Sequence, residues 1–226
     1  MRLIFSIVLL LISLKGISQV SASSSDTKYL EDQFYIGITY NLLLDTPDQV
    51  SQNNLSNGIF LGYIKDMPIN AKRNQAIGIG LGYNLNTYFS NLVAIEEAGV
   101  TTFEQINSSD FKKNRLTTHI LEMPIEYRWR TSTPNNHKFW RIYTGVRLGY
   151  IFANSSRFEN EEVDQRFNND GIERFQYGLH FSFGYNTWNF YTYYDLGQIF
   201  KSDVSTIEGE AINTKNLKIG LMFYIL

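Results

Sequence analysis

Apolar and polar residues alternate with a period of two through most of this chain. The clearest run is 75–86. Ile77, Ile79, Leu81, Tyr83 and Leu85 fall on one side, and Gly78, Gly80, Gly82, Asn84 and Asn86 on the other. Side chains along a strand point alternately to its two faces, so this run predicts a strand with one apolar face. The same reading predicts seven further strands, at 33–43, 57–66, 115–130, 138–154, 175–186, 188–200 and 216–226. The register of 57–66 is ambiguous by polarity alone. A short recurrence resolves it: Gly58–Tyr63 reads GIFLGY, Gly78–Tyr83 reads GIGLGY and Gly145–Tyr150 reads GVRLGY. Ile59, Leu61 and Tyr63 then share the apolar face, and Gly58, Phe60 and Gly62 the other.

The connections between these strands alternate in length. Long polar segments at 44–57, 87–114, 153–174 and 201–215 are separated by short turns near 67–74, 131–137 and 186–187. Each strand has about the 9–11 residues, or slightly more, that cross a bilayer when tilted. Outer-membrane barrels have short turns on the periplasmic side and longer loops outside. The expectation is an all-β fold: a closed eight-stranded antiparallel up-and-down transmembrane β-barrel, with both termini periplasmic. Trp129, Trp140 and Trp188 all fall on the apolar face at strand ends beside short turns. Tryptophan favours the membrane–water boundary, so these three are the candidate interface anchors.

The polar faces carry charge. On 115–130 and 138–154 the apolar side holds His119, Leu121, Met123, Ile125, Tyr127 and Trp129, then Trp140, Ile142, Val146, Leu148, Tyr150 and Phe152. The other side holds Glu122, Glu126, Arg128, Arg141 and Arg147. In an eight-stranded barrel that side faces an interior just wide enough for side chains to fill. Enclosed ions are costly unless paired. Contact between Glu122 or Glu126 and Arg141 or Arg147 is therefore expected, as a plug rather than a pore. The inward glycines at 78, 80 and 82 would make room for the long side chains of the neighbouring 115–130 strand. Pro124 cannot donate to a ladder and a closed barrel has no free edge, so a bulge or a local break is expected there.

Composition sharpens the picture. Aromatic residues make up 15% of the chain, with 15 Tyr and 16 Phe, yet the mean hydropathy is −0.22. Aromatic richness without long apolar runs suits barrels that cross with strands. Residues 1–18 resemble a secretory signal peptide: Arg2, an apolar run from Leu3 to Leu14, then Gly16 and Ser18. Residues 19–32 read as a flexible periplasmic lead-in and 33–226 as the barrel domain. There is no cysteine, which excludes thiolate metal sites and disulfides. Acidic residues exceed basic ones, which gives no footprint for nucleic acid. The four long loops are each net acidic.

No catalytic, cofactor or metal site emerges. His119, His137 and His180 lack metal-site spacing. His180, Ser182 and Asp195 hold the residue types of a hydrolase relay on neighbouring strands, and a lipid-modifying barrel enzyme stands as the least favoured reading. Near the end of the sequence, Lys218, Gly220, Phe223 and Ile225 resemble the C-terminal strand signal read by outer-membrane assembly machinery.

The run from Leu121 to Trp129, LEMPIEYRW, followed by YTGVRLGY from Tyr143 to Tyr150, resembles the PorT-like family of outer-membrane barrels of Bacteroidetes. The resemblance implies an eight-stranded barrel associated with type IX secretion, which exports surface proteins and supports gliding in some species. It implies no catalytic residues and no cofactor. The expected partners are outer-membrane lipid and other envelope or secretion proteins. The external loops and a basic rim of Lys72, Arg73, Arg128, Arg130 and Lys138 are the candidate contact surfaces. The alternative is a stand-alone structural or adhesive small barrel.

Overall fold

The structure is a computed structural model that describes residues 32–131 and 139–225. The expected signal peptide, nearly all of the lead-in, His137 and Lys138 lie outside the described residues. Eleven strands occur among the described residues: β1 Gln33–Leu44, β2 Asn57–Pro68, β3 Gln75–Phe89, β4 Leu92–Glu97, β5 Val100–Gln105, β6 Lys113–Arg130, β7 Trp140–Glu159, β8 Asp164–Phe167, β9 Phe175–Tyr185, β10 Trp188–Asp195 and β11 Lys215–Ile225.

Eight of them close into a barrel. The order around it is β6-β3-β2-β1-β11-β10-β9-β7, and β7 returns to β6, every pair antiparallel. The β1–β11 seam is in register from Phe34↔Ile225 to Leu44↔Lys215. The alternation holds on every wall: β9 runs exposed–buried through all eleven residues. Phe34, Leu81, Phe175 and Trp188 stand fully outward, with Phe175 at 69% exposure. The whole circumference is apolar, far beyond the patch of a few hundred Å² that a soluble monomer exposes. That surface is the one a bilayer covers.

The structure changes or refines five expectations. First, the 115–130 and 138–154 strands are longer, because β6 and β7 continue together beyond the apolar band to the Lys113↔Glu159 pair. Second, the strand predicted at 188–200 stops at Asp195. The chain then turns inward, with Ile199 and Phe200 buried. Third, the loops are structured: β4 and β5 form a separate hairpin, and β8 pairs with the top of β7.

Fourth, the bulge and the proline are in different places. The β3–β6 ladder omits the pairs at Met123 and Pro124 and resumes at Gly82↔Glu122 in the same register. That is a break, as the missing N–H requires. The β6–β7 ladder runs through Pro124↔Arg147 without interruption, and its bulge lies at His119/Ile120, opposite Phe152.

Fifth, the inward glycines serve mainly other neighbours. A Cβ on Gly78 would meet Arg128 of β6 and Ile64 of β2, but Gly80 is covered by Ile64 and Tyr63, and Gly82 by the Tyr35 hydroxyl. Tyr35 of β1 leans along the wall over Gly62 of β2, with its hydroxyl in the space left by Gly82 of β3.

The interior has two parts. At the long-loop end, Tyr88, Leu92, Phe103, Ile120, Ile151, Ile172, Ile199, Phe200 and Ile212 form a hydrophobic core beneath the loops. The loops are tied to one another above it: Asn91 N–H donates to Ser51 O, Ile199 N–H to Thr214 O, Lys201 N–H to Gly171 O and Ile207 N–H to Phe103 O, all at 2.9–3.0 Å. Phe103 meets Phe200 edge-on at 5.4 Å. The long connections therefore make a packed cap over the barrel mouth. Below it lies the charged interior.

Candidate functional site

The inward face of β6 carries Glu122, Glu126, Arg128 and Arg130 at even positions, and β7 supplies Arg141 and Arg147 at odd ones. All six are buried. A continuous chain of polar contacts links most of them. Asn84 Nδ2 donates to Glu122 Oε1 at 2.6 Å, and Arg147 Nη1 donates to Glu122 Oε2 at 3.0 Å. Arg147 Nη2 lies 3.8 Å from Glu126 Oε1, and His180 Nε2 lies 3.1 Å from the same oxygen. Arg128 Nε is 3.5 Å from Glu126 Oε2, and its Nη1 donates to Asp66 Oδ1 at 2.8 Å. Arg130 grips both oxygens of Asp66 at 2.7 Å. A planar guanidinium on a carboxylate makes two parallel charge-assisted bonds, the strongest ion-pair geometry available.

Rings surround these ions. The Arg147 guanidinium sits 5.2 Å from the Tyr35 and Tyr191 ring centres and 5.4 Å from Phe60. Arg128 stacks on Tyr143 at 4.2 Å. Faces of aromatic rings attract cations, and do so more strongly when water is excluded. Lys218 lies over the Tyr193 ring at 4.9 Å, and the Tyr193 hydroxyl donates to Asp195 at 2.5 Å. The cavity left beside Glu122, Arg147, Asp195 and Lys218 is about 10 Å³, room for a single water at most.

The structure thus brings Glu122, Glu126, Arg128 and Arg147 together and leaves Arg141 apart. Arg141 lies against Phe139 at 4.5 Å and Tyr224 at 5.2 Å, and among the described residues no ion pair reaches it. The proposed basic rim shrinks. Arg128 and Arg130 are fully buried on Asp66 and cannot serve as contact surface. Asp66, Gln33 and Arg130 escaped the sequence reading as members of the interior. The signal was present: the recurrence that fixed Phe60 inward fixes Asp66 inward by the same parity.

The groups needed for a hydrolase relay are not assembled. His180 faces Glu126, and Asp195 is held by Tyr193. His119 is on the outer wall, bonded through Nδ1 to the Tyr83 hydroxyl at 2.7 Å. Trp129, Trp140 and Trp188 lie at the short-turn end, on the outer face. Trp140 packs on Tyr185 at 5.4 Å and Trp188 on Phe223 at 4.6 Å. On β11, Lys218 points inward, Gly220 pairs with Thr39, and Phe223 and Ile225 point outward.

A closed meander with an apolar wall and enclosed, mutually paired charge defines a transmembrane β-barrel protein. Residues 17–201 match the family described as outer membrane protein beta-barrel domain, and the chain belongs to that family. It is an outer-membrane barrel. Among solved structures it is similar to Ail, the attachment invasion locus protein of Yersinia pestis, solved in complex with the heparin analogue sucrose octasulfate. The identity is 12%, the coverage 86% of this chain and 99% of that one, and the TM-score 0.34. No curated sequence matches this chain.

Proposed function

We propose that this protein is a non-enzymatic barrel that assists protein secretion or envelope assembly by binding partners, in the manner of the PorT-like, type IX-associated barrels that its β6–β7 hairpin resembles. One observation supports this reading above others: the interior is filled from the short-turn end by ion pairs and from the other end by the loop cap. Neither a solute path nor a reaction chamber remains, so activity has to reside on the surfaces. In this reading the termini and short turns face the periplasm and the long loops face outward. Among the described residues of the basic rim, Lys72 and Arg73 are the ones still available there. Trp129, Trp140 and Trp188 anchor the periplasmic boundary, and Lys218, Gly220, Phe223 and Ile225 present the assembly signal. Deleting the gene tests the proposal. Loss of secreted proteins from the cell surface is the expected result, and normal secretion would sink it.

A stand-alone adhesive barrel is the second reading, and the ordered cap favours it because it offers a preformed external surface. Normal secretion combined with altered attachment of the deletion strain would select it.

A further inference from the structure

We propose that the outer wall, just above the apolar band, carries a phosphate-binding row of arginines. In this proposal Arg115, Arg157 and Arg166 take the phosphorylated saccharide of an outer-leaflet lipopolysaccharide. The proposal rests on the reading that the long loops are external.

Arg115 of β6 is directly opposite Arg157 of β7, and Arg157 is directly opposite Arg166 of β8. Opposed residues share a face, so the three side chains leave the same outer surface from adjacent strands. With strands about 4.8 Å apart, the row is roughly 10 Å wide. Like charges set directly opposite one another are destabilising. None of the three is buried, and among the described residues ion pairs are found for Arg157 but not for Arg115 or Arg166. They also stand out because every long loop is net acidic.

The β-bulge is what assembles the row. Below it, the odd residues of β7, such as Arg141 and Arg147, point into the barrel. The extra residue at Phe152 reverses the parity, and above it Ser156 and Phe158 point inward. Arg157 thereby turns outward beside Arg115. Re-aiming a side chain is a recurrent use of bulges.

The local carboxylates neutralise Arg157, which Asp164 holds through Nε and Nη2 at 3.1 and 3.0 Å, and leave Arg115 and Arg166 without an ion pair among the described residues. Glu159 and Asp164 both contact Arg157 at 3.0 Å, and among the described residues the ion pairs of this face belong to Arg157 alone. Arg166 Nε donates only to the Ser155 hydroxyl, at 2.9 Å. Lys113 adds a further cation opposite Glu159. Glu161 and Glu162 lie farther out, in the turn between β7 and β8.

The height suits a headgroup. His119, bonded to Tyr83 and beside Phe152, marks the top of the aromatic band. The Thr117↔Ser155 pair comes next, and then Arg115↔Arg157. Four residues of tilted strand raise the row roughly 10 Å above His119. Arginines there can reach down to the phosphates at the hydrocarbon boundary or bind those of the sugars above it. Guanidinium groups bind phosphate oxygens through paired charge-assisted bonds.

Binding of labelled lipopolysaccharide to the full chain in mild detergent tests this. The comparison is between the native protein and an R115Q/R157Q/R166Q variant, each first shown to be folded by its heat-dependent migration. The variant, and enzymatically dephosphorylated lipopolysaccharide on the native protein, should each bind about tenfold more weakly. Equal binding in either comparison overturns the proposal. Displacement by millimolar inorganic phosphate would reveal a free-phosphate site and overturn the lipid assignment. Should the triple variant not fold, Arg115→Gln alone serves, with a drop of about threefold expected. The orientation is tested separately. The chain has no cysteine, so Val100→Cys at the exposed tip of the β4–β5 hairpin gives a unique label. An impermeant maleimide that fails to label it on intact cells overturns the external-loop reading without touching the binding result.

Discussion

Glu122 and Arg147 show at single-residue scale why this barrel needs its charges paired. Each is buried, and each is the other's shortest ionic contact, at 3.0 Å. Replacing Glu122 by Leu leaves Arg147 with only Glu126, at 3.8 Å. Breaking one side of a buried pair typically costs about 3–5 kcal/mol, whereas replacing both partners by apolar residues is often close to neutral. Glu122→Leu should therefore lower stability by about that amount, and Glu122→Leu with Arg147→Met should recover most of it. Urea unfolding in lipid vesicles, followed by tryptophan fluorescence, reads both; equal losses in the two variants would refute the pairing argument. A second contrast concerns glycine. A Cβ on Gly145 would lie 2.0 Å from the Ile125 carbonyl oxygen, which is backbone and cannot yield. On Gly78 it would meet the side chains of Arg128 at 2.8 Å and Ile64 at 2.9 Å, which are packed but are not backbone. Gly145→Ala should prevent the β6–β7 hairpin from closing, and Gly78→Ala should cost about 1–3 kcal/mol. Migration before and after heating separates the two: a folded Gly145→Ala barrel would contradict this account.

At the scale of elements, the walls were readable and the cap was not. Strand alternation is enforced twice, by lipid outside and by a crowded polar interior, so the period of two survives in sequences such as Phe175–Tyr185. Parity then placed Glu122, Glu126 and Arg147 correctly from local pattern alone. The bulge at Phe152 could not be read, because a one-residue parity change looks the same as a strand ending, and 155–159 was accordingly taken for loop. The cap was missed for a different reason. Its apolar residues, such as Leu92, Phe103, Ile172 and Ile212, come from separate segments that are acidic overall. They converge only once the strands bring the loops to one mouth. Arg130 was misplaced as rim because nothing local shows that Asp66, 64 positions away, receives it. The cap has its own tight point at Gly171, where a Cβ would approach the Phe103 ring to 2.8 Å. Gly171→Leu should loosen the cap while leaving the walls intact. Limited proteolysis should then cut within 87–114 or 201–214 while the heat-dependent shift of the barrel persists. Unchanged protease resistance would mean that the cap is not packed through this contact.

The whole molecule is a barrel closed twice, by different physics. The cap closes the mouth by apolar packing around a cavity of about 30 Å³, and the polar layer beneath it closes through a chain of polar contacts that runs from Asn84 to Arg130. The polar layer by itself is enough to stop ions, because the space left around Glu122 and Arg147 holds at most one water, and the cap lies across the same path. Planar bilayers containing the native protein should therefore show no conductance steps. The two-part closure makes a stronger prediction. Replacing 92–105 by a short turn removes Leu92 and Phe103 from the cap, yet the Glu122–Arg147–Glu126 layer remains, so this variant should stay silent. Replacing Glu122 and Arg147 by Ala removes that layer's centre, yet the cap remains, so this variant should stay silent too. Only the combination should admit ions, along a path lined by Glu126 and Asp195 together with Arg128 and Lys218. Conductance from either single alteration would show that one of the two closures is only apparent, and would return a solute channel to the functions this barrel can have.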